Sequence, residues 1–135
     1  MKILFLDDSL DRHAQFRFDG ACLVFTADEC IQKLKESTWD LVCLDHDLGN
    51  QTFVNSADRN CGMEVVRWME QNKPKIYLNI VIVHSWNGSA NKEMSKRLAD
   101  VGYSVATGMF GPTMLDYVED LIEKYGEECS ANQKT

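Results

Sequence analysis

The chain has 135 residues, with 14 Lys+Arg against 21 Asp+Glu and a formal net charge of −7. That length suits one domain burying roughly two-thirds of its unfolded surface, and a composition of 44% hydrophobic and 26% charged residues is that of an ordinary globular domain. The acidic balance argues against duplex DNA, which needs a basic face to displace counterions, and against anionic membranes.

In chain order, MKILFLDD holds a short apolar run that meets two aspartates. It reads as a strand over Lys2–Leu6 rather than a leader or membrane span, and no apolar run approaches the ~18 residues a span needs. Ser9–Phe18 is a polar segment with helical potential, in which His13 is expected to face solvent. Ala21–Phe25 is a second strand. Thr26 then opens a capping box closed by Glu29, and Ile31 and Leu34 mark one face of a helix to Ser37. Asp40–Leu44 is a third strand, ending in Asp45-His46-Asp47-Leu48-Gly49.

A polar loop, Gln51–Cys61, follows. Gly62–Asn72 is a helix with Val65, Val66 and Met69 inward. Leu78–Val83 is the most apolar strand and ends in His84-Ser85. Ser89–Val101 is a helix, Tyr103–Ala106 a fifth strand, and Pro112–Tyr125 a last helix with Pro112 in its first turn. The reading is therefore a domain over 1–125 and a frayed tail over 126–135. The five cysteines (Cys22, Cys30, Cys43, Cys61, Cys129) are odd in number and scattered, without zinc spacing, so a reducing cytoplasm is the expected compartment.

Continuous apolar strands alternating with helices imply a parallel sheet buried on both faces, a three-layer α/β sandwich. Ligands of such sheets bind at the carboxyl ends of the strands. There the chain places Asp7-Asp8, Asp45-His46-Asp47, His84-Ser85 with Asn87 close behind, and Thr107-Gly108. Crowded carboxylates repel unless a cation is present. Hard divalent ions take such oxygens while leaving room for phosphate, so Mg²⁺ or Mn²⁺ with a phosphate-bearing ligand is the expected chemistry.

These residues carry a resemblance. KILFLDD, DLVCLD and GMEVVRWM resemble the acidic pair, the phospho-acceptor strand (here ending in Asp45) and the third helix of response regulator receiver domains. The fold this implies is a (βα)5 flavodoxin-like sandwich with sheet order 2-1-3-4-5. The lysine that a signalling receiver carries after its fifth strand is missing from VATGMFGP, and His84 displaces the hydroxyl residue after the fourth strand, although Ser85 is adjacent.

Asp7, Asp8 and Arg12 in DDSLDR, Asp45, His46 and Asp47 in LDHDLG, and His84, Ser85 and Asn87 in HSWN are similar to a receiver variant, the cyclic-phosphate processing receiver domain. That resemblance implies action on cyclic phosphate ends of nucleotides or RNA. Under this reading Asp7, Asp8 and Asp45 hold the metal. His46 and His84 are candidate acid and base, since imidazole titrates near neutrality. Arg12, Asp47, Ser85 and Asn87 bind substrate, Arg12 through its fork to phosphate oxygens. The long loop covers the pocket, with Asn55 or Arg59 toward substrate, and Trp86 stands at the site rim, where it either stacks on a base or serves as a core or lid residue. Two other readings use the same residues: a divergent receiver phosphorylated on Asp45, and a non-catalytic binder of a phosphorylated ligand. Receivers also dimerise through the last helix, so a homodimer or a partner protein there is a further expectation.

Overall fold

The apolar runs pair side by side as β1 (Ile3–Leu6), β2 (Ala21–Val24), β3 (Trp39–Leu44), β4 (Ile76–Val83) and β5 (Ser104–Thr107). The computed structural model describes residues 1–133, with side chains through residue 129. Each strand is followed by a helix: α1 (Leu10–Gln15), α2 (Ala27–Glu36), α3 (Gly62–Asn72), α4 (Gly88–Asp100) and α5 (Pro112–Gln133). All pairings are parallel and the order is β2-β1-β3-β4-β5. This is the flavodoxin-like (βα)5 sandwich that the receiver resemblance implies.

Side chains alternate across the pleat and fill two cores. Leu4, Leu6, Val42, Leu44, Val81 and Val83 meet α2, α3 and α4 through Leu34, Val66, Met69, Met94 and Leu98. Ile3, Phe5, Leu41, Cys43 and Ile82 meet Phe16, Met114, Val118 and Leu121 on the other face. Burying each large apolar side chain contributes roughly 1.5–3 kcal/mol. A one-residue slip would exchange the two faces, so this double burial sets the register.

The register decides the site. Leu6 pairs with Leu44, Leu44 with Val83, and Val83 with Thr107. Asp7, Asp45, His84 and Gly108 therefore emerge side by side, one residue beyond the last paired position. The crossover from β2 back to β3 opens the sheet edge between β1 and β3, the switch point of this topology.

Local signals mark most boundaries. Thr26 Oγ1 accepts the Glu29 amide at 3.1 Å and Glu29 Oε1 accepts the Phe25 amide at 3.2 Å, the reciprocal cap expected before α2. Three expectations change. The first helix stops at Gln15, because Phe16 leaves the helical conformation to enter the core. Strand β4 begins at Ile76, which is buried and pairs with Trp39. The stretch expected to fray from residue 126 continues α5 as far as Gln133, with Cys129 buried against the Asp40 carboxylate; residues 134–135 lie outside the described ones. Among the described residues no helix is long and apolar enough to cross a membrane, and the five cysteines are free.

Candidate functional site

Three carboxylates meet at the switch point. Asp7 and Asp45 are buried, Asp8 is half-buried, and one oxygen from each lies within 4.8 Å of the others. Each is already held by a backbone donor. Asp7 Oδ1 accepts the Ser9 amide at 2.9 Å, Asp45 Oδ1 the His46 amide at 2.9 Å, and Asp8 Oδ2 the Asn50 amide at 2.5 Å. Ser9 also caps α1 by accepting the Arg12 amide, and that turn returns Arg12 to the cluster. Its Nη1 donates to Asp7 Oδ2 at 3.2 Å and lies 3.7 Å from Asp45 Oδ2. The guanidinium stands 5.6 Å from the Phe110 ring.

One cation does not neutralise three acids. Burial, and next the Asp7 charge, push the Asp45 carboxyl up to about 8. Burial also raises Asp7, against the lowering pull of Ser9 and Arg12. This donor set, hard oxygens converging with excess negative charge, fits a divalent cation of the Mg²⁺ class.

A cavity of about 240 Å³ opens beside the cluster. Asp8, Asp45 and Arg12 form one wall. Asp47, Ser85 and Trp86 form another, and Asn50, Gln51 and Thr52 border it from the loop. Asp45 and Asp47 thus open onto the same space, while His46 between them turns inward. Asn87 accepts the Ala90 amide as the cap of α4 and donates to Asp47 Oδ1 at 3.3 Å. Its polar atoms are committed to loop and helix, so it supports the wall and does not line the cavity. Asn55 and Arg59 lie away from the cavity as well.

Neither of the two histidines expected as acid and base lines the cavity. His46 is fully buried, with Nδ1 2.8 Å from Asp47 Oδ1 and Nε2 3.0 Å from Ser56 Oγ. Burial opposes its charge, but hydrogen bonding to Cys61 and Asp47 outweighs this and raises its pKa. Asp47 behaves in the opposite sense: bonds from His46, Asn87, Phe53 and Val54 outweigh its desolvation and keep it ionised. This pair clamps the long loop to the end of β3.

His84 is fully buried, stacked 5.0 Å from Phe5, and neither ring nitrogen has a partner among the described residues. Burial, reinforced by the Arg12 charge, drives its pKa down to about 3. The imidazole is therefore neutral, and its 3.7 Å approach to Asp7 Oδ2 is not an ion pair. His84 sits behind the cavity wall because it directly follows the interior strand β4, with Phe5 and Phe110 packed around its ring.

His13, expected in solvent, is buried as well. Its Nε2 lies 2.7 Å from the Asp7 carbonyl oxygen and its ring 4.0 Å from that of Phe25.

Sequence reasoning missed several supporting residues. Buried Asn91 accepts the Ser85 amide and donates to the carbonyls of Ser85 and Gly108, tying the ends of β4 and β5 together. Gly62 lets α3 approach the site, because a Cβ there would fall on the Asp45 carbonyl oxygen and 2.8 Å from Met94 Cε. A glycine at the start of a helix can signal such an approach. Nothing in the residue pattern announces Asn91.

The family model of the cyclic-phosphate processing receiver domain matches residues 2–100. The chain belongs to that family. No curated protein matches it. Among solved structures, this receiver is similar to a CheY-like response regulator receiver domain from Methanospirillum hungatei, at 22% identity and a TM-score of 0.59, over 98% of this chain and 96% of that one. The receiver domain of NtrX from Brucella abortus aligns at 19% identity and a TM-score of 0.56, over 88% and 95% of the two chains. The Mn²⁺-bound form of the response regulator Rcp1 aligns at 12% identity and a TM-score of 0.54, over 90% and 92%. These likenesses are of fold.

Where a signalling receiver carries a lysine after its last strand, this cyclic-phosphate processing receiver has Gly108, Met109 and Phe110. The cation at the cluster comes instead from Arg12 on α1.

Proposed function

We propose that this receiver holds Mg²⁺ or Mn²⁺ on Asp7, Asp8 and Asp45 and opens the 2′,3′-cyclic phosphate of a nucleotide or RNA end. The observation that carries the reading is the buried carboxylate cluster at the mouth of a phosphate-sized cavity, with one arginine fork beside it. The family's description and the Mn²⁺ in a structural neighbour agree with it. A bound cation would polarise a phosphoryl oxygen and activate water.

The chain's own groups supply the remainder. Arg12 binds non-bridging phosphate oxygens, exchanging its contact with Asp45 for one with substrate. Ser85, which lines the cavity, offers its hydroxyl to the phosphate. Asp47, ionised and fixed by four donors, orients water across the cavity. With so many bonds it is a poor base, so it positions more than it deprotonates. His46 acts through Asp47 by holding that carboxylate, and His84 fills the space behind Asp7. Neither reaches substrate in this arrangement. Five free cysteines suit a reducing, cytoplasmic setting.

The test incubates the protein with cyclic adenosine 2′,3′-monophosphate and Mg²⁺ or Mn²⁺, following the phosphorus resonance as cyclic diester becomes monoester. Conversion lost in Asp45→Asn and Arg12→Ala is the expected result. Neither turnover nor binding with either metal would refute it.

A second reading, phosphorylation on Asp45, draws on the receiver fold and on the exposure of Asp45 to the cavity. A beryllofluoride adduct on the wild type, absent from Asp45→Asn, would favour it. The missing lysine weighs against it.

A further inference from the structure

Trp86 is 60% exposed, yet it lines the same cavity as Asp45, Arg12 and Ser85. Trp39 is buried and Trp68 packs against the core, so an indole left in solvent is the exception in this chain. Its chain neighbours are tied down. The Ser85 amide donates to Asn91 Oδ1 at 3.1 Å and the Asn87 amide to Ser85 Oγ at 3.0 Å, while Asn87 caps α4 and bonds Asp47. The backbone on both sides of Trp86 is thus pinned, with the ring presented outward. The cavity, at about 240 Å³, is smaller than the roughly 300–1,000 Å³ that encloses a whole drug-sized ligand. It takes a phosphate and its sugar and leaves any base at the rim, where the indole stands.

We infer that Trp86 is the base platform of this site: the ligand is a nucleotide, or an unpaired RNA end, whose base stacks on the indole while its phosphate lies against Arg12 and the aspartates. This rests on the phosphate reading of the cavity and adds what that reading lacks, a reason for a nucleoside rather than a bare sugar phosphate. Stacking is easiest on an unpaired base, whose face is open, so a single-stranded end suits the platform. The −7 charge agrees, because one stacked base needs no basic track along a nucleic-acid backbone.

The experiment compares two probes in Mg²⁺: cyclic adenosine 2′,3′-monophosphate, and glycerol 1,2-cyclic phosphate, which has the ring but no base. Affinities come from calorimetry, with tryptophan fluorescence as a second readout. The wild type should prefer the nucleotide, with quenching. In Trp86→Ala the ratio of the two affinities should fall about tenfold to a hundredfold and the quenching should vanish, while Trp86→Phe keeps most of the preference. An unchanged ratio in Trp86→Ala overturns the inference, even if ring opening continues. Adenosine 5′-monophosphate separates the two claims. If it binds through Trp86 while no cyclic phosphate is opened, the platform stands and the hydrolytic reading fails.

Discussion

Replacing Asp45 by asparagine should make the metal-free protein more stable while removing its response to cations. Asp45 is buried, within reach of Asp7 and Asp8, and shares one guanidinium with Asp7. Its carboxyl is raised from 3.8 to about 8, so folding takes up a proton across that interval. The folded state then binds more protons than the unfolded one, and stability falls as pH rises from about 4 to about 8, reaching its floor above that. At about 1.4 kcal/mol per unit, the penalty at pH 7 is at most roughly 4 kcal/mol. Asparagine is neutral and keeps an oxygen for the His46 amide, but loses the contact with Arg12. A net gain of about 2–3 kcal/mol at pH 7 is therefore expected, shrinking toward zero near pH 4.

The assay is urea unfolding in chelator from pH 4 to pH 8, repeated with Mg²⁺ or Mn²⁺. The wild type should gain from the cation, more at pH 8 than at pH 6 because Asp45 must first give up its proton, and the variant should gain little. An Asp45→Asn protein less stable than wild type at pH 7 without metal, or a stability difference independent of pH, would refute the electrostatic account.

Gly62→Ala places a methyl group against the Asp45 carbonyl and Met94; it should cost about 1–3 kcal/mol and weaken Mn²⁺ binding, both readable by thermal shift with and without metal. Arg12→Met removes the guanidinium bonded to Asp7, so without metal it should destabilise at pH 7 more than at pH 5, checked by urea unfolding at both pH values. Thr26→Ala deletes the cap of α2 and should cost about 1 kcal/mol without changing cation affinity, a control far from the site. Phe53 is 79% exposed and sits at φ +51°, so Phe53→Asn should stabilise by up to about 1 kcal/mol, seen as a small rise in the unfolding midpoint.

Local chemistry in the chain carried a great deal. Continuous apolar runs required a doubly covered parallel sheet, and the capping box at Thr26 and the proline opening α5 marked helix starts. Strand ends that release Asp7, Asp8 and Asp45 together named the acidic cluster, because parallel strands bring their carboxyl ends to one edge. Trp86 could be placed at the rim for the same reason, three residues past the end of β4.

Depth and direction were decided only by the tertiary structure. Whether a residue just past a strand opens onto the cavity depends on what covers that end of the sheet, and that cover comes from elements distant in sequence. Phe5 and Phe110 enclose His84, and Ser56 and Asp47 hold His46 in the wall. Two histidines expected as acid and base are thereby turned away from the cavity. Arg12 owes its place in the cluster to the Ser9 cap, and Asn87 is spent on α4 and Asp47. A residue pattern names which groups can do chemistry; packing at long sequence separation determines which of them face the ligand, since burial and hydrogen-bond partners are properties of the whole fold.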